Sequence, residues 1–154
     1  MDIPHPAIPG LVWAYHFRPG IEPCRRLPAD LKLADLHLDD GFFWLHLNLA
    51  DSRVASFLEN MPGLDDGIKG NLTTHETHPS IVVDDGALYG TLVDFQREFD
   101  QETRDIGWLH FALGERYIIT TRLQPLRSVD RLRAAIDKNP KRYSTPSHVF
   151  EGLV

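Results

Sequence analysis

Apolar and polar positions alternate along several short stretches of the chain, and this period of two predicts β-strands. The clearest case is GFFWLHLNL, where phenylalanine or leucine occupies every second position from 43 to 49. It predicts a strand with one strongly apolar face. Residues 11–17 predict an earlier strand, which follows a Pro/Gly-rich start and ends before Pro19 and Gly20.

A second group of strands is predicted downstream, over residues 81–83, 87–95, 106–113 and 116–121. Asp-Gly at 85–86 and Gly-Glu at 114–115 are suited to tight hairpin turns. We therefore expect an antiparallel meander whose last three strands lie side by side. The strand 116–121 is expected to complete the core sheet.

Helical spacing of apolar residues appears between and after these strands. Asp51 or Ser52 is positioned to cap a helix that ends at Pro62-Gly63, and its apolar stripe consists of Val54, Phe57, Leu58 and Met61. A second helix is predicted to start at Asp65 or Asp66, where carboxylates suit the free amides of a first turn.

Two further helices are predicted near the C-terminus. One spans residues 128–138, and the other begins at Pro146 after the capping residue Thr145. The last helix has an apolar stripe of less than two turns, which is marginal on its own. We therefore expect the chain to be a fragment of a longer protein, and a naturally frayed terminus is the alternative.

The order of these elements predicts the fold class. Two strands and two helices precede the meander, and two helices follow it, which favours an α+β fold. We predict an α/β/α sandwich with a mixed, largely antiparallel sheet covered by helices. A length of 154 residues with 42% hydrophobic content fits one soluble domain, residues 1–154.

Charge and composition exclude several classes of protein. The net charge of −6 argues against a nucleic-acid partner. Residues 1–114 carry 18 acidic and 8 basic groups, whereas residues 115–154 carry 4 and 8. The sequence has no apolar run long enough to span a bilayer, no signal-peptide pattern in MDIPHPAIPG and a single cysteine, Cys24. We therefore expect a cytoplasmic location.

Candidate metal ligands occur in two places. His75 and His78 flank Glu76 in TTHETHPS, and imidazoles three residues apart can share a metal ion. Asp65 and Asp66 form a carboxylate pair suited to Mg²⁺, although helix capping explains them equally well. Solvated loop histidines remain the alternative for His75 and His78, and strand residues His46 and His110 are expected to be partly buried and hydrogen-bonded.

Catalytic motifs are missing from the sequence. It contains no nucleophile elbow, phosphate loop, dinucleotide fingerprint or HExxH, and Cys24 lies in a Pro/Arg-rich segment expected to be a loop. We expect no enzymatic activity and no organic cofactor. A stand-alone metal-binding enzyme using His75, His78 and nearby aspartates is one alternative, and a protein-interaction module is another.

The order of three segments resembles one known family. WLHLNLAD, then GLDDGIKGNLTTHETHPSIVVDDGALYGTL, then GWLHFALGERYIITTRLQPLRSVDRLR are similar to the N-terminal cytoplasmic domain of CorA divalent-cation transporters, especially the ZntB branch. The resemblance covers residues 11–154. His78 departs from it, because the family often has arginine before the proline equivalent to Pro79.

The resemblance implies a transporter domain rather than a complete transporter. In the family, this domain forms the wall of a pentameric funnel and is followed by a long stalk helix and two membrane spans with a Gly-Met-Asn motif. We therefore expect a role in assembly, cation attraction and regulation of Mg²⁺, Zn²⁺ or Co²⁺ transport. The expected partners are further copies of the chain and, through the missing spans, the inner membrane.

Overall fold

The computed structural model describes residues 7–18, 20, 22–36, 40–97 and 105–154. The strands in this part of the chain, β1 to β7, are Leu11–Arg18, Glu22–Arg26, Phe42–Asn48, Ser80–Asp84, Ala87–Phe95, Ile106–Leu113 and Tyr117–Arg122. The α-helices, α1 to α4, are Val54–Glu59, Asp66–Thr73, Arg127–Lys138 and Pro146–Glu151. Short 3₁₀ helices form at Leu33–Asp35 and Pro140–Arg142.

The strands form one sheet in the order β2-β1-β3-β7-β6-β5-β4. β3 and β7 are parallel, and the other neighbouring pairs are antiparallel. This confirms the predicted mixed, largely antiparallel sheet. β7 completes the sheet from its centre, because it joins the N-terminal strands to the meander.

Helices cover both faces of the sheet. On the α1/α2 face, buried strand residues such as Leu45 and Ile119 belong to the same apolar cluster as Leu58 and Leu72. On the α3/α4 face, Trp44 and Ile118 share a second cluster with residues of α3 and α4, namely Val129, Leu132, Ile136 and Val149. The predicted α/β/α sandwich is therefore confirmed.

The central strand β3 differs from the prediction of one strongly apolar face. Trp44 is 0% exposed and His46 is 1% exposed, although both lie on the face predicted to be the more polar one. A central strand between two helical layers is buried on both faces, and alternation in sequence then no longer marks a solvent side.

Two local features also differ from prediction. Cys24 lies in strand β2 rather than in a loop, and β2 is an edge strand, where proline and charged residues are tolerated. Helix α1 begins at Val54, and its N-cap is Arg53 without a capping side-chain hydrogen bond. The predicted cap at Asp51 or Ser52 is therefore wrong. Asp51 Oδ1 instead accepts a hydrogen bond of 3.0 Å from the Arg53 amide in the turn before the helix. Pro19 and most of the polar segment 96–105 lie outside the described residues.

Candidate functional site

The two acidic candidates lie at the N-terminus of α2. Asp65 has an extended backbone, and its Oδ1 accepts a hydrogen bond of 2.9 Å from the Ile68 amide. Asp66 is exposed in the first turn. Asp65 therefore acts as the helix cap, while both carboxylates lie where the partial positive charge of the helix end stabilises them.

The two histidine candidates follow the other end of α2. His75 is exposed, and the His78 side chain is 65% exposed, with its Nδ1 3.8 Å from Glu76 Oε2. The Glu76 amide donates to Thr74 Oγ1 at 3.1 Å, which shapes the loop between α2 and β4. Both imidazoles are therefore accessible to ions from solvent.

The fold separates these two pairs. They flank a helix of 8 residues, whose length is about 12 Å. In the described ranges, no group of three or more histidine, cysteine, aspartate or glutamate side chains could hold a metal ion. A metal at either pair would therefore need ligands from outside these residues.

Helix α2 itself is held rigidly against the sheet by polar contacts. Asn71 Nδ2 donates to the Gly90 carbonyl oxygen at 2.7 Å, and Thr121 Oγ1 donates to the Leu72 carbonyl oxygen at 2.6 Å. These bonds link the helix to β5 and β7. The helix between the acidic pair and the histidine loop is therefore anchored to the sheet.

The buried histidines are hydrogen-bonded, as predicted, and more deeply buried than expected. His46 Nδ1 lies 2.7 Å from Thr120 Oγ1, and its ring packs 4.5 Å from that of Trp13. His110 Nδ1 lies 2.8 Å from Thr91 Oγ1. Burial lowers the pKa of His46 well below its usual value and that of His110 to about 4, so both are neutral at pH 7.

A buried arginine on β7 was not predicted. Arg122 is only 8% exposed, and burial lowers its pKa although the nearby Asp130 opposes that shift. Asp130 also pairs with Arg97, and Asp94 accepts hydrogen bonds from the Ser128 amide and hydroxyl, both at 2.9 Å. These contacts attach the start of α3 to β5. Nothing in the local sequence distinguishes Arg122 from the exposed arginines around it.

The uneven charge of the sequence appears on the surface. Exposed acidic residues in the described part of segment 7–114 are Asp30, Asp35, Glu59, Asp65, Asp66, Glu76, Asp84, Asp85 and Asp105. Exposed basic residues in the same segment are Arg25, Arg26, Arg53 and Arg97. In segment 115–154, the exposed basic residues are Arg116, Arg131, Lys138, Lys141 and Arg142, and the exposed acidic residues are Glu115, Asp137 and Glu151. Acidic groups therefore predominate among the exposed residues of the described N-terminal segment and attract cations, whereas basic groups are only slightly in excess in the C-terminal segment.

Replacing Asp65 with alanine is expected to lower the free energy of unfolding by about 1 kcal/mol, because the Ile68 amide loses its capping partner. Urea unfolding followed by circular dichroism measures the change. Asp66→Ala is the matched control and should change stability by less than about 0.5 kcal/mol. Equal losses in the two variants would contradict the assigned cap.

Comparison with known proteins identifies the family. Residues 39–154 match the family described as CorA-like Mg²⁺ transporter protein. The match covers well over half of the chain, and the chain therefore belongs to this family, as the sequence resemblance predicted. A search of curated proteins found no match.

Solved structures share the fold. The full-length CmaX protein aligns with a TM-score of 0.79 and 22% identity, over 99% of this chain and 46% of that one. The ZntB cytoplasmic domain from Vibrio parahaemolyticus aligns with a TM-score of 0.71 and 15% identity, over 94% and 58%. The soluble domain of CorA from Methanocaldococcus jannaschii gives 0.58 and 14%, over 95% and 57%.

The chain thus spans about half the length of these structures. Among its described residues, no helix is both long enough and apolar enough to cross a membrane. Because their identities are below 25%, these alignments show a common fold only. The assignment to the transporter family depends on the family match.

Proposed function

We propose that this chain is the cytoplasmic, non-enzymatic domain of a CorA-like divalent-cation transporter, close to the ZntB branch. The family match over residues 39–154 is the observation that carries the proposal. In this role the chain is one part of a longer protein. A stalk helix and membrane spans follow it, and pentamers form the complete transporter at the inner membrane.

The exposed carboxylates allow the domain to attract cations. A surface with many acidic groups raises the local concentration of cations. The domain can therefore supply Mg²⁺, Zn²⁺ or Co²⁺ to a pore without itself having a closed metal site. Mg²⁺ keeps most of its waters and needs only one or two carboxylates, such as Asp65 and Asp66. His75 and His78 favour Zn²⁺ instead.

Titration of the chain with Mg²⁺ and Zn²⁺ by calorimetry tests this task. We expect binding that weakens as salt is raised, because the screening length falls from about 30 Å at 0.01 M to about 8 Å at 0.15 M ionic strength. We expect the double variant His75→Ala, His78→Ala to reduce Zn²⁺ binding more than Mg²⁺ binding.

The control variant is His148→Ala, which removes a histidine of α4 and should leave the binding of both ions unchanged. Asp65→Asn with Asp66→Asn is expected to show the opposite preference and reduce Mg²⁺ binding more. Absence of divalent binding at every ionic strength would count against cation attraction by this domain.

A further inference from the structure

The two edges of the sheet carry different surfaces. Beyond β4, the described residues contain no further strand. Its side chains Ile81, Val82 and Val83 are 61%, 39% and 79% exposed. Three consecutive exposed apolar residues on an edge strand are unusual, because an open apolar edge promotes association with other chains.

Acidic residues lie directly beside this apolar strand. Asp84 and Asp85 are both exposed in the turn from β4 to β5. Asp85 has a positive φ of 43°, and Gly86 follows with a φ of 82°. The β4 edge, defined as residues 81–85, therefore combines apolar contact area with negative charge.

The opposite edge is positively charged. Arg25 and Arg26 of β2 are both exposed, and the 3₁₀ helix Pro140–Arg142 packs beside β2 and adds the exposed Lys141 and Arg142. We define the β2 edge as these four residues. The sheet therefore has a basic edge and an acidic, apolar edge, about 29 Å apart across six strand spacings.

Strand directions also suit contact between the two edges. The pairings along the sheet make β2 antiparallel to β4. Copies related by rotation about an axis parallel to the strands would therefore place β4 of one copy antiparallel to β2 of the next. Antiparallel strand pairs are slightly more stable than parallel pairs. A contact that joins one edge of each copy to the opposite edge of the next forms a ring when the rotation closes.

We infer that the β4 edge of one copy docks against the β2 edge of a second copy of this chain. The inference rests on the proposed function, because it names the surfaces through which these domains associate around a common axis. Exposed carboxylates of one copy meet guanidinium and ammonium groups of the next, and Ile81 and Val83 lose their contact with water.

A charge swap tests this contact by sedimentation velocity. The first variant, Arg25→Glu with Arg26→Glu, makes the β2 edge acidic. The second, Asp84→Lys with Asp85→Asn, makes the β4 edge basic, and asparagine tolerates the positive φ. Each variant alone is expected to self-associate at least about tenfold more weakly than the unmodified chain, because like charges then face each other.

An equal mixture of the two variants should recover association, because each altered edge again meets an opposite charge. Glu59→Lys with Arg131→Glu is the control, since both residues are exposed on helices, and it should associate like the unmodified chain. Recovery in the mixture also shows that both variants fold.

Three outcomes overturn the docking inference: edge variants that associate normally, a mixture that fails to recover, or an unmodified chain that stays monomeric at its highest concentration. Cation attraction, the task given to this domain in the proposed function, is tested separately by the divalent-cation titrations. Absence of cation binding together with intact edge-dependent association would therefore contradict that task and leave the docking inference standing.

Discussion

Replacing Trp44 with alanine is expected to lower the free energy of unfolding by about 3–5 kcal/mol, the loss typical of a large aromatic residue removed from a core. Trp44 is fully buried on the central strand β3. Its ring stacks on Tyr15 at 6.0 Å and meets Trp13 edge-on at 5.4 Å. The substitution leaves a cavity at the point where β1, β3 and β7 meet α3.

Chemical denaturation followed by circular dichroism measures this loss. Trp44→Phe serves as a second variant, because it retains an aromatic ring but leaves Thr120 without the 2.9 Å hydrogen bond donated by Trp44 Nε1. We expect it to lose about 1–3 kcal/mol. Val83→Ala, at a position 79% exposed, is the control and should change stability by less than about 1 kcal/mol. A Trp44→Ala loss no larger than that control would contradict the packing role.

Features with local physical causes were predictable from the sequence. The cap at Asp65 and the cap at Thr145 depend on one side chain and an amide three residues away, and both hydrogen bonds form. The turn at 85–86 depends on residues that adopt positive φ. The helices and the meander therefore follow from short stretches of sequence.

Features that depend on distant contacts were not predictable in the same way. The parallel pairing of β3 with β7 joins residues about seventy positions apart, such as Trp44 and Ile118. It decides that β3 is central and buried on both faces. Strand β2 likewise exists because β1 is available as a partner, and its own sequence lacks an apolar pattern.

The candidate site shows the same division. Proximity in sequence grouped Asp65 with Asp66 and His75 with His78, but it could not establish whether the two pairs meet. The intervening helix keeps them apart. Burial of Arg122 depends on α3 and on Asp130, which follow it in the chain and are brought back by the turn after β7.

Acid is expected to destabilise the domain well above the pH at which its carboxylates titrate. His110 has a pKa of about 4 in the folded state because it is buried, with the His75 charge as a smaller cause. In the unfolded chain its pKa is about 6.5. As pH falls through 6.5, the unfolded state takes up a proton that the folded state does not, so the free energy of unfolding decreases.

The free energy of unfolding falls by about 1.4 kcal/mol per pH unit for each such histidine. The loss due to His110 reaches about 3 kcal/mol near pH 4. His46, whose pKa is lowered further by burial, adds a second proton over the same range. Urea unfolding at pH values from 7.5 down to 5 should therefore show a falling free energy of unfolding. Its dependence on pH should approach that expected for uptake of about two protons on unfolding.

His110→Gln isolates one of these protons, because glutamine can still bond to Thr91 but does not titrate. Between pH 6.5 and 5, we expect the free energy of unfolding of this variant to depend less steeply on pH, by the amount that corresponds to about one proton. His78→Gln is the matched control, since its side chain is 65% exposed, and it should keep the original slope. An unchanged slope in His110→Gln would mean that His110 takes up its proton in the folded state, without unfolding.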